Sequence, residues 1–230
     1  MVSGLNLSKT DCPTTPQAQK AMEKIPYRGI IGSLLYAARG TRPDISYAVG
    51  ALSCFNENPR ETHWKHAKRV LRYLKGTNDV GLVYQHHGKR EVKIEIFSDS
   101  DWGANVDDRK SISGFVVCIN GNPVSWISRK QKTVALSSCE AELLAVTEAM
   151  REALWLRQLL IELDIGFVSP IVIRVDNQSA IKLSQNPVHH QRSKHMDIRN
   201  FRIREEIKNG NILIKGSRGI QLEKVLEYLN

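Results

Sequence analysis

Residues 92–128 read VKIEIFSDSDWGANVDDRKSISGFVVCINGNPVSWIS, and the periodicity of this stretch decides the fold. From Val92 to Phe97 apolar and polar residues alternate, so every second side chain faces the same side, as a half-buried strand requires. Ser111 to Ile119 is a second predicted strand, rich in β-branched residues, and Pro123 to Ser128 a third. Gly121-Asn122 supplies the tight hairpin turn between them. Three strands in this order make an antiparallel meander.

Downstream, residues 137–164 read SSCEAELLAVTEAMREALWLRQLLIELD. Ser137 with Glu140 makes a capping box, and alanine and leucine favour the interior of a helix of about 27 residues. Ile171 to Val175, IVIRV, is a short apolar strand, and Asn177 can cap a small helix running to Leu183. A basic, histidine-rich link leads to a helix from about Met196 to Lys208. Asn209-Gly210 then turns the chain into a strand, NILIK, and Gln221 to Leu229 is a predicted last helix. Strand, helix, strand implies a crossover beside the meander. The predicted class is α/β, a mixed sheet flanked by helices.

Upstream, residues 1–24 are polar, contain Pro13 and Pro16, and read as a linker. Tyr27 to Phe55 has helical spacing in two pieces, broken at Gly40 to Pro43. Pro59 precedes ETHWKHAKRVLRYLKGT, in which Trp64, Ala67, Val70, Leu71 and Leu74 form an apolar stripe. Lys65, Lys68, Arg69, Arg72 and Lys75 cover much of the remainder. After Gly76 the period changes from near 3.6 to near 2, which puts a boundary at roughly 80–92. The predicted division is a linker over 1–24, a helical region over 25–85 and an α/β domain over 92–230.

The 230 residues suffice for one good core and a smaller region beside it. Lys plus Arg number 33 against 24 Asp plus Glu, a net charge of +9 that attracts polyanions such as nucleic acid. Cysteines 12, 54, 118 and 139 have neither the density of a secreted scaffold nor the paired spacing of a zinc site. The first twenty residues lack the apolar core of a signal peptide, and no run reaches about 18 apolar residues. A soluble, intracellular chain without a membrane partner is expected.

Three acidic residues occupy comparable places. Asp99 ends the first strand, Glu142 lies in the first turns of the long helix, and Asp176 ends IVIRV. The ends of neighbouring strands are where α/β folds place ligands, so these carboxylates can converge. Carboxylates gathered that tightly repel one another unless cations neutralise them, and their partner is a hard divalent ion such as Mg2+. Two such ions roughly 3.5–4 Å apart support in-line displacement at phosphorus. Spacing leaves a second reading open, because strand ends and first helix turns also collect solvated acids. Nor does periodicity separate Asp99 from Asp101, which point to the same side of an extended strand.

The other candidates are weaker. Asp101, Asp107 and Asp108 read as solvated loop charges, Glu140 as a cap partner, and Glu148 and Glu152 as solvent-facing or paired with Arg151 and its neighbours. His189, His190 and His195 suggest zinc or, beside Arg192 and Lys194, a basic loop. Trp102, Trp126 and Trp155 can stack on bases, but read first as core. Gly29 and Gly32 lack the sequence of a phosphate loop.

Longer runs carry a family resemblance: YRGIIGSLLYAARGTRPDISYAVG, HWKHAKRVLRYLKGT, FSDSDWG, DRKSISGF, SWISRKQKTVALSSCEAE, EALWLRQLL, DNQSAI and NPVHHQRSKHMDIRNFRIRE. From about Tyr27 to Ile214 the chain resembles the C-terminal part of the Pol polyprotein of copia-type LTR retrotransposons. The resemblance implies a ribonuclease H domain from about residue 92, an endonuclease that hydrolyses the RNA strand of RNA–DNA hybrids with two Mg2+ ions. Its carboxylates match Asp99 rather than Asp101, then Glu142 and Asp176, as catalytic residues and metal ligands. Tyr27 to about Val83 resembles the end of the reverse transcriptase region, whose basic face grips template and primer. The polymerase palm is not in these residues, so an upstream reverse transcriptase portion of Pol is an expected partner. The expected location is cytoplasm, virus-like particles or nucleus.

The family also has a fourth carboxylate, an aspartate on a helix after the strand resembling NILIK. Here the sequence reads GSRGIQLEKVLEYLN, and no aspartate follows Asp197. Glu223 lies near the expected place, but one residue of shift on a helix turns a side chain by about 100°. Asp197 reads as structural. The opening MVSGLN and the altered tail read as a fragment of a degenerate element. Three functions follow from the resemblance: a ribonuclease H-type endonuclease, a catalytically dead nucleic-acid binder, and an inert remnant.

Overall fold

A computed structural model of the chain describes residues 7–86, 88, 91–185 and 197–216. They divide into two compact units. One holds the residues up to Leu82 together with Asn105–Arg109, the other Val83–Ala104 and the residues from Lys110 onward.

The first unit is helical. Helices α1 (Pro16–Glu23), α2 (Tyr27–Gly40), α3 (Ser46–Ser53) and α4 (Glu61–Gly76) follow in order. Tyr27, Ile31, Leu34, Val49, Leu52 and Ala67 form the common core of α2, α3 and α4. The stretch read as a linker therefore carries a helix: Pro16 opens α1, the Thr15 hydroxyl accepts the Ala18 N–H, and Met22 is buried. At the start of α4, His63 is fully buried, stacks on Phe55 and accepts the Arg60 N–H at Nδ1.

The second unit contains strands β1 (Ile94–Ser100), β2 (Ile112–Ile119), β3 (Asn122–Lys130), β4 (Ile171–Val175) and β5 (Ile212–Gly216). Their order across the sheet is β3-β2-β1-β4-β5. The first three pair antiparallel, the predicted meander, while β4 and β5 pair parallel on the other side of β1. Helices α5 (Ser138–Glu162), α6 (Gln178–Gln185) and α7 (Asp197–Lys208) complete the α/β class that the sequence implies. The predicted last helix over 221–229 lies outside the described residues.

Helix α5 starts where Ser137 accepts the Glu140 N–H at 3.1 Å. The Glu140 carboxylate reaches Leu136 N–H at 2.7 Å, one residue earlier than a reciprocal capping box uses. Ala141, Ala145, Ala149 and Ala153 recur every fourth residue and are fully buried. Small side chains on one face let α5 lie close to the sheet, among Ile94, Ile96, Val117, Ile171 and Ile173.

Candidate metal centre

Strand register brings the first two carboxylates together. Phe97 pairs with Arg174 across the parallel β1–β4 ladder, so two residues further on Asp99 comes level with Asp176. Helix α5 lies over β1 and delivers Glu142 from its first turns. One carboxylate oxygen from each of Asp99, Glu142 and Asp176 lies within 4.8 Å of the others. Asp176 is exposed, Asp99 half-buried and Glu142 buried.

A single backbone group joins two of them. The Ser100 N–H donates to Asp99 Oδ1 at 2.8 Å and to Glu142 Oε1 at 3.2 Å. Glu142 Oε2 is buried and has no hydrogen-bond partner. Burial, followed by the charges of Asp99 and Asp176, pushes Glu142 up to about 8. Burial and then Asp99 also raise Asp176 above the usual carboxylate range. The donor set is all oxygen, and one buried lone-pair site is open.

Asp101, which periodicity could not separate from Asp99, does different work. Its Oδ1 accepts the Ile112 N–H at 2.9 Å while its own N–H donates to Ile112 O at 3.2 Å, a clasp between the ends of β1 and β2. Burial raises its pKa despite those bonds. It is thus no solvated loop charge. Asp107 is an exposed loop charge as expected, and accepts from Ser8 Oγ at 2.6 Å and from the Lys9 N–H at 2.9 Å.

Glu152 accepts from Ser125 Oγ on β3 at 2.9 Å, and Glu148 is half-buried, because α5 turns this flank toward the sheet edge rather than to solvent. Trp102 and Trp155 are 59% and 57% exposed, not core. Trp102 follows the end of β1, where strand alternation no longer applies. Trp155 sits about 200° around α5 from buried Ala153. Trp126 is half-buried beside Val116 and Cys118. Sequence reasoning also missed Gln131, 5% exposed, whose Nε2 donates to Ser113 Oγ at 2.9 Å and Ala141 O at 3.0 Å. It ties β2 to the turn that carries Glu142, and no periodicity marks it. His189, His190, His195 and Glu223 lie outside the described residues, as does the side chain of Asp197.

No protein-family model matches the chain. It is 42% identical over 210 residues to the retrovirus-related Pol polyprotein from transposon TNT 1-94 of Nicotiana tabacum, covering 91% of this chain and 16% of that protein. It is 47% identical over 135 residues to the secreted RxLR effector protein 161 of Plasmopara viticola, covering 59% of this chain and 94% of that one. The chain thus spans a small part of the Pol polyprotein and nearly all of the shorter relative. Among solved structures, it is similar to the foamy viral protease-reverse transcriptase in complex with RNA/DNA hybrid. The TM-score is 0.51 at 14% identity, over 90% of this chain and 27% of that one, a likeness of fold.

Proposed function

Because the chain belongs to the Pol polyproteins of copia-type LTR retrotransposons, as one region with a ribonuclease H-like fold, we propose that it binds RNA–DNA hybrid over a single cation site. In this reading it does not sustain two-cation hydrolysis of the RNA strand. The observation that carries it is the carboxylate count. Among the described residues Asp99, Glu142 and Asp176 converge, and no fourth acidic residue joins them.

The trio fits a hard divalent ion such as Mg2+: three oxygen donors of like charge, with Glu142 Oε2 buried and unpartnered. A bound ion offsets the repulsion among the carboxylates and offers a phosphate oxygen a positive contact, and a pair of ions is what in-line displacement at phosphorus uses. The chain's own residues do the rest. The Ser100 N–H holds Asp99 and Glu142 in place, the Asp101 clasp fixes the strand end, and the excess of basic residues draws in the polyanion.

Fluorescence anisotropy of a labelled RNA–DNA hybrid at constant ionic strength tests this reading. Affinity is expected to be about tenfold higher in Mg2+ than in EDTA, near 1.4 kcal/mol, and Asp99→Asn to remove that difference. Absence of binding, or binding indifferent to the cation and to Asp99→Asn, overturns it. A second reading, hydrolysis of the RNA strand, is favoured by the intact convergence of the trio. Cleavage assays decide between the two.

A further inference from the structure

Close in sequence to the carboxylates lies an exposed apolar ledge that their chemistry does not use. Trp102 is 59% exposed, Leu136 73% and Val134 45%. The indole Nε1–H donates to Ala135 O at 3.3 Å, which fixes the ring against the segment carrying Val134 and Leu136. The backbone on both sides of the ring is pinned as well. Asp101 is clasped to Ile112, and Gly103, at φ +59, donates its N–H to buried Ser111 Oγ at 2.9 Å. Two metal-site residues flank this ledge in sequence. Asp99 is three residues before Trp102, and Glu142 is six residues after Leu136 on the helix that this segment enters.

A large aromatic ring held rigid, yet left in water, forgoes the burial that ordinarily stabilises it. Its setting indicates what covers it. A cation held by the trio binds phosphate, and exposed Lys132 extends the same segment, so the fitting occupant carries phosphate beside a flat, stackable face. A nucleotide strand has both. We infer that Trp102 is a substrate-binding residue whose indole stacks on a nucleotide next to the phosphate held at the trio. The inference rests on the hybrid-binding reading above and adds to it the residue that sets the strand's position.

Anisotropy with the labelled hybrid in Mg2+ compares the parent with Trp102→Ala and Trp102→Phe, each checked for an unchanged thermal melt. Trp102→Ala is expected to weaken binding about ten- to hundredfold, the scale of base–aromatic stacking, and Trp102→Phe to restore most of it. Because no phosphate contact is lost, the slope of log Kd against log salt stays that of the parent. A folded Trp102→Ala protein that binds within twofold of the parent overturns the inference alone and leaves the hybrid-binding reading standing. A changed salt slope without rescue by Trp102→Phe overturns it too, since the ring is then structural. A parent that does not bind the hybrid overturns both.

Discussion

Glu142 is where burial and charge conflict most. The residue is 4% exposed, and its carboxylate faces Asp99 and Asp176 and has one oxygen without a partner. With its pKa up at about 8, the cation-free folded protein binds a proton there that the unfolded chain releases near 4.5. The folded state therefore binds more protons across that interval, and stability falls as pH rises from about 4.5 to about 8. Urea unfolding in EDTA is expected to show this slope. Glu142→Gln should flatten it and stabilise the protein at pH 8 by about 1–3 kcal/mol, the cost of an uncompensated buried polar group. Mg2+ should likewise raise stability at pH 8 in the parent but not in the variant. That acids stand at two strand ends and in a first helix turn was legible in the sequence, because these are fixed points of the pattern; that they converge was one of two readings the spacing left open. The roles of Asp99 and Asp101 were not legible, since both share one parity. Only the resemblance, and then the Ile112 N–H bonded to Asp101, separates them.

At the scale of elements, α5 governs the site. Its alanines at 141, 145, 149 and 153 set its distance from the sheet, and that distance sets where Glu142 falls. Ala149→Leu adds volume where there is no exposure. It should destabilise the protein by about 1–3 kcal/mol and lower cation affinity, as followed by urea unfolding and calorimetric titration with Mg2+. The helix itself was legible from its cap and composition. What periodicity could not give is which flank meets β3, as Glu152 does through Ser125, or that Trp155 faces water. Helix α1 did leave a signal: threonine before proline is an N-cap and first-turn pair, but the polar composition of residues 1–24 outweighed it. Gln131 left none, because a buried carboxamide binding two elements is a product of tertiary packing.

For the whole molecule, fold and chemistry were legible to different depths. The change of period after Gly76, the meander and the strand IVIRV fixed a mixed sheet, and the β3-β2-β1-β4-β5 order places Asp99 and Asp176 on adjacent strands. Sequence periodicity does not give that strand order, because it depends on which edge the crossover returns to. The excess of 33 basic over 24 acidic residues suits a polyanion, and the trio suits a cation; together they support the binding proposed. The most direct measurement is gel analysis of an RNA-labelled hybrid incubated with Mg2+ and the parent chain, beside Asp99→Asn. An RNA strand left intact in both, while anisotropy shows the parent binding the hybrid, is the result predicted. An RNA strand cut by the parent and spared by Asp99→Asn would contradict it.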